Sequence, residues 1–135
     1  MAYVNEDLSL AGQRAIVTGA SRGIGAAIAA RLGKNGAKVA LVSRKLDGLE
    51  RSAAELAAFG IETMTVAANL GRPDDVRGIV PRVVEQWGGV DILINNAATN
   101  PVFGPLTDLP EDGWDKILDT NVKGPFLLSQ AAAKD

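Results

Sequence analysis

Apolar residues fall along this chain in short blocks at two alternating periods. "RAIVT" (14–18) and "KVALV" (38–42) are compact apolar runs, the pattern of strands buried on both faces. "IETMTVA" (61–67) alternates in part, and "VDILINN" (90–96) closes the series of strand-like runs. Between them the period lengthens to that of a helix. Ile24, Ile28 and Leu32 recur every four residues over 23–35, before Gly36. Leu46, Leu49, Ala53 and Leu56 mark one face of a second helix that Gly60 ends. Val76, Ile79 or Val80, Val83 and Trp87 mark a third over 72–88, with Pro73 in its first turn and Asp74 and Asp75 complementing its dipole. Pro81 interrupts that helix and is expected to kink it. A last helix starts near Glu111, after the loop "TNPVFGPLTDLP".

Strand and helix alternate throughout, which predicts an α/β fold: a parallel sheet with helices on both faces. No repeat or low-complexity segment divides the chain, so residues 1–135 read as one domain. An alternating fold seldom stops on a helix without a following strand, so the chain is expected to be a fragment of something longer. A sheet cut off there would leave its fourth strand with an unpaired edge, which invites association.

Composition narrows the chemistry. The 135 residues hold 14 basic and 16 acidic side chains, a net charge of −2, which argues against a general nucleic-acid or anionic-membrane surface. There is no cysteine and no histidine. Disulfides, thiolate nucleophiles and zinc–thiolate sites are thereby excluded, with the commonest general base and metal ligand, and no metal site is expected. No apolar run approaches the ~20 residues of a membrane span. The acidic opening "MAYVNEDLSL" is expected not to be a secretory leader.

The chemical signal is "TGASRGIG" (18–25), placed where the first strand hands over to the first helix. Unpaired amides at a helix start, with the positive end of its dipole, suit a phosphate, and glycines let the backbone turn tightly and come close to it. Gly19, Gly23 and Gly25 are spaced G-x3-G-x-G, which is neither the common dinucleotide fingerprint nor the P-loop.

"TGASRGIG", "NNAA" (95–98) and "DTNVKGPF" (119–126), in this order, resemble the classical short-chain dehydrogenase/reductase family. The resemblance runs from about Leu8 to the end. It implies a Rossmann-like doubly wound sheet in three layers, truncated here after four strands in the order 3-2-1-4. It also implies a nicotinamide cofactor, hydride transfer to or from a carbonyl or alcohol, and a homodimer or homotetramer. Gly19, Ser21, Arg22, Gly23, Ile24 and Gly25 would form the pyrophosphate loop.

At the end of the second strand, NAD-preferring members carry an acid for the ribose hydroxyls. Here Ser43 is uncharged and Arg44 follows, able to offer a fork of donors to a 2′-phosphate, with Arg22 a second cation and Lys45 a weaker one. NADP(H) is therefore expected over NAD(H). After the third strand the family usually has Asp for the adenine amino group; here "ANL" puts Asn69 there, followed by Leu70, and the Asn69 amide oxygen can accept one bond.

Asn96, Ala97 and Ala98 are expected near the nicotinamide ribose. Ala98 stands where the family has Gly, tolerable if its φ is negative. Asn95 and Asn96 fit a strand-tying role as well as a cofactor role. Thr99, Asn100 and Phe103 fit a surface turn better than the mouth of a site.

Asn121 matches the family's helix asparagine, whose carbonyl holds a water in a proton relay. Residue 125 is proline, so that carbonyl has no amide partner one turn on, and Gly124 loosens the turn further. The family's Ser and Tyr-x-x-x-Lys are not found after Asn121, and the sole tyrosine is Tyr3. The chain alone is expected not to turn over. "NAATNPVFGPL" with "WDKILDTNVK" looks most like NADPH-dependent carbonyl and retinal reductases, though 3-oxoacyl-carrier-protein reductases have similar segments, so the substrate stays open. A cytoplasmic location is expected. The alternative is a dinucleotide-binding or oligomerisation module without chemistry.

Overall fold

The computed structural model describes residues 8–135; the acidic start and Tyr3 lie outside the described residues. Strands β1 (Arg14–Thr18), β2 (Lys38–Ser43), β3 (Thr63–Ala67) and β4 (Ile92–Ile94) form one parallel sheet in the order β3-β2-β1-β4. This is the Rossmann-like order expected. Helices α1 (Gly23–Lys34) and α2 (Leu46–Ala57) cover one face, and α3 (Pro73–Trp87) and α5 (Gly124–Ala132) the other. Helix α4 (Glu111–Leu118) joins α5 through one π-helical turn, Asp119–Lys123.

The alternation of side chains along each strand builds two cores. Ala15, Val17, Val39 and Leu41 pack with Leu49 and Leu56 beneath α1 and α2. Ile16, Ala40, Val42 and Val66 pack with Val76, Ile79, Val83 and Leu128 of α3 and α5. Because β1 and β2 are buried on both sides, their sequences read as unbroken apolar runs.

Several expectations are corrected. Ile24 and Leu46 are not core positions: they are 73% and 47% exposed, each in the first turn of its helix. Gly25 and Ala29 are the buried residues of α1, and Leu49, Ser52 and Leu56 those of α2. Strand β4 is shorter than the apolar run that encodes it, pairing through Ile92–Ile94 with β1. The last helix does run from Glu111 nearly to the end, but one π-helical turn, Asp119–Lys123, is set into it just before Pro125, which cannot donate an amide. Helix α3 runs unbroken through Pro81, which is exposed; the carbonyl it deprives of a partner belongs to exposed Arg77.

At the end of the sheet away from the strands' carboxyl ends, Arg14 clamps Asp91. Its Nε and Nη2 donate to the two carboxylate oxygens at 2.9 and 3.2 Å, and its Nη1 donates to the Trp87 carbonyl, which closes α3. The hydrogen bond from Arg14 holds the Asp91 carboxyl below the usual carboxylate range, and the pair raises Arg14.

Candidate functional site

The carboxyl ends of β1 and β4 are tied by Thr18, which is only 1% exposed. Its hydroxyl donates to the Ile94 carbonyl at 3.3 Å and accepts the amides of Asn96 and Ala97, each at 3.0 Å. The Asn96 side chain returns a bond to the Thr18 carbonyl at 3.1 Å. A polar knot at the end of two apolar strands thus fixes where the chain leaves the sheet.

Immediately after Thr18, Gly19 turns with φ +65°, and a Cβ there would stand 2.7 Å from Asn96 Nδ2. Gly23 has φ +59° but open space where a Cβ would lie, so its requirement is conformational. A Cβ on Gly25 would collide with the Gly19 carbonyl, so this residue lets α1 start against the turn. Arg22 precedes α1 in an extended conformation; no side chain caps the helix and no acid occupies its first turn. Such a helix start can take an anion.

At the end of β2, the Ser43 hydroxyl bonds the Lys45 carbonyl at 3.4 Å, and Arg44 and Lys45 are exposed. Helix α2 begins here and comes close to the glycine turn: a Cβ on Gly48 would lie 3.0 Å from Ser21 Cβ.

At the end of β3, Asn69 is half-buried in a tight turn. Its backbone N–H donates to Asp75 Oδ2, and its side-chain Oδ1 accepts the Gly71 N–H, both at 2.9 Å. A Cβ on Gly71 would fall 2.8 Å from Thr120 Oγ1, so the turn and the end of α4 nearly touch.

Beyond β4, the Asn121 side chain bonds both backbone groups of Thr99. The loop after β4 is thereby fastened to the π turn. A Cβ on Gly124 would collide with the Leu70 carbonyl, so only glycine lets α5 start there. Asn95, by contrast, is exposed and donates to Ser129 Oγ of α5 at 3.0 Å.

These strand ends border one cleft of about 770 Å³. A smaller hollow of about 310 Å³ lies against β4 and α5, lined by Val90, Leu93 and Asn95 among others. The larger cleft holds the glycine turn, the cations after β2 and the Asn69 turn together. Among the described residues no group of His, Cys, Asp or Glu is placed to hold a metal, and no helix is long and apolar enough to cross a membrane.

The family model for short chain dehydrogenase matches residues 13–135. The chain belongs to this family. It is 45% identical over 121 residues to Dehydrogenase/reductase SDR family member 4 of Bos taurus, covering 90% of this chain and 43% of that protein. The human protein of that name is 40% identical over 126 residues, covering 93% and 45%. Among solved structures, a metagenomic short-chain oxidoreductase in complex with NADP superposes with a TM-score of 0.89 at 41% identity, covering 93% of this chain and 57% of that one. A short chain dehydrogenase from Burkholderia cenocepacia J2315 in complex with NADP gives 0.87 at 44%, covering 93% and 51%. The chain spans about half the length of these relatives.

Within this short-chain dehydrogenase fold the sequence-predicted residues converge. Gly19, Ser21, Arg22, Gly23, Ile24, Ser43, Arg44, Asn69, Leu70, Asn96, Ala97 and Ala98 all line the larger cleft. Gly25 sits behind it, buried. Asn121 stands behind Thr99, which lines the cleft; Asn100 and Phe103 do not line it, and Phe103 is 94% exposed. Among the described residues none but glycine has positive φ, so Ala98 meets the condition set for it.

Sequence reasoning missed Arg51, Gly48, Lys116 and Thr120, which also line the cleft. Helical spacing offered a hint. Lys116 and Thr120 are four residues apart, on one helix face, and Arg51 lies in the second turn of α2, on the side that carries Asp47 and Gly48.

Proposed function

We propose that this cleft binds NADP(H), and that residues 1–135 form the single dinucleotide-binding domain of an oxidoreductase moving hydride between nicotinamide and a carbonyl or alcohol. One observation carries the reading. A glycine turn with an uncapped helix start opens into the same cleft as Ser43, Arg44, Lys45 and Arg22, so diphosphate and 2′-phosphate partners share one trough. The fit rests on the backbone: Gly19 and Gly23 have positive φ, and the space beside Gly23 is open. The NADP complexes of the two solved relatives support the choice of nucleotide.

When bound, the cofactor supplies the hydride. The chain's own residues bind and orient. Amides at the start of α1 take the diphosphate. Arg44 and Arg22 take the 2′-phosphate, which the uncharged Ser43 does not repel. Asn96 and Ala97, held by Thr18, and Ala98 after them border the nicotinamide end. Asn121 keeps a carbonyl that Pro125 cannot satisfy and holds a relay water on it.

The 135 residues contain no Tyr-x-x-x-Lys, and we take the chain alone to be inactive in turnover. The family resemblance further implies a homodimer or homotetramer acting in the cytoplasm on a substrate of the carbonyl-reductase type.

Calorimetric titration tests the reading. NADPH is expected to bind at least tenfold more tightly than NADH, and Arg44→Ala to remove most of that difference. Equal affinities would overturn the NADP(H) preference, and absence of binding by either would overturn the dinucleotide reading.

A further inference from the structure

One acid stands among the cations of the cleft. Among the described residues that line it, Asp47 is the sole carboxylate, beside Arg22, Arg44, Lys45, Arg51 and Lys116. Asp47 lies in the first turn of α2, where its charge suits the helix dipole. It also follows Arg44 by three residues, so it sets a negative charge close to the cations proposed to take a 2′-phosphate. By sign alone, Asp47 favours a ribose without that phosphate.

Arg51 is placed to reverse the preference. It follows Asp47 by four residues and Gly48 by three, so the three share one side of α2. That side meets the glycine turn, because a Cβ on Gly48 would lie 3.0 Å from Ser21 Cβ. Helical side chains lean toward the helix start, so Arg51 leans back toward the residues that precede α2, Arg44 and Lys45. It is exposed and has no ion-pair partner among the described residues, Asp47 included.

We propose that Arg51 is a specificity-determining residue: unpaired and on the cleft side of α2, it bonds the 2′-phosphate of NADP(H) and offsets the repulsion from Asp47. The inference rests on the NADP(H) reading above. A planar guanidinium gives a phosphate two parallel N–H donors. A 2′-hydroxyl carries no charge and gains little from it. Arg51 therefore acts on one nucleotide and not the other. A cation that merely raised the attraction of the cleft for anions would act on both, since both carry the diphosphate.

Calorimetry with NADPH and NADH tests this on the wild type, Arg51→Ala, Asp47→Asn and the double variant. Arg51 is exposed and alanine suits a helix interior, so α2 persists in the variant. Arg51→Ala is expected to weaken NADPH about tenfold, the scale of hydrogen bonds to a charged group, and to leave NADH within about twofold. Asp47→Asn is expected to tighten NADPH, and the effect of Arg51→Ala to persist in that background. Equal losses for both nucleotides, or no loss for either, overturn the inference and leave the dinucleotide reading standing. A loss that vanishes in the Asp47→Asn background overturns contact with the phosphate, since Arg51 would then serve Asp47 alone. A wild type that binds neither nucleotide, or both equally, overturns the NADP(H) reading and this inference together.

Discussion

Asn121 holds Thr99 by both ends of its amide: Oδ1 accepts the Thr99 N–H at 2.8 Å, and Nδ2 donates to the Thr99 carbonyl at 2.9 Å. The π turn and the loop after β4 are therefore one unit, although 22 residues separate the partners. Replacing Asn121 by Ala removes both bonds, each worth about 1 kcal/mol. The Thr99 amide is then expected to exchange with solvent deuterium roughly thirty-fold faster, a figure set by the sum of the two bonds. Unchanged protection would show that packing, not the amide, fixes the loop.

Thr18 serves three partners with one hydroxyl. Thr18→Val keeps the shape and the strand propensity but strands two amides in a half-buried site. A loss of about 3 kcal/mol in urea unfolding is expected, with most of it restored by Thr18→Ser. A valine variant as stable as wild type would contradict the role of the hydroxyl.

Gly19 and Gly23 differ in what forbids a side chain. Gly23→Ala meets only the left-handed backbone, a penalty of about 1 kcal/mol. Gly19→Ala meets that and the Asn96 amide, so a larger loss of about 2 kcal/mol or more is expected. Thermal unfolding of the two variants gives the order. Because the added methyl at residue 23 enters open space beside the cleft, Gly23→Ala should weaken NADPH binding more than its small stability loss suggests.

Asp91 gives the fold an acid limit. Its folded pKa lies below its unfolded value, about 3.9, because Arg14 bonds the charged form. The stabilisation is therefore fully present above that unfolded value and is lost as pH falls through the folded one. Asp91→Asn should be less stable than wild type at pH 7, with the gap closing below about pH 4. A gap that stays constant down to pH 2, measured by urea titration, would assign the effect to geometry instead.

What was legible in the sequence was local. Two-sided burial wrote β1 and β2 as continuous apolar runs, and helical spacing with its Gly and Pro signals marked α1 to α3, while for the last helix only the start near Glu111 was legible. The glycine turn, Ser43 and Arg44 were legible because each lies at a strand end, and in a parallel sheet all such ends open on one side. The breadth of the core was less so. Ile24 and Leu46 obey the helical period yet are exposed, since the period says which face turns inward but not where the sheet beneath it stops.

The sequence by itself determined the alternation of strand and helix, the turn that only glycine allows, and the charges set beside it. Those follow from backbone sterics and from burial over a few residues. Only the tertiary structure decided that Thr18 would bind the chain 78 residues on, that Asn121 would hold Thr99, and that Arg51, Lys116 and Thr120 would share a cleft with the glycine turn. Such contacts depend on strand order and on how closely helices settle on the sheet. No periodicity along the chain carries that distance.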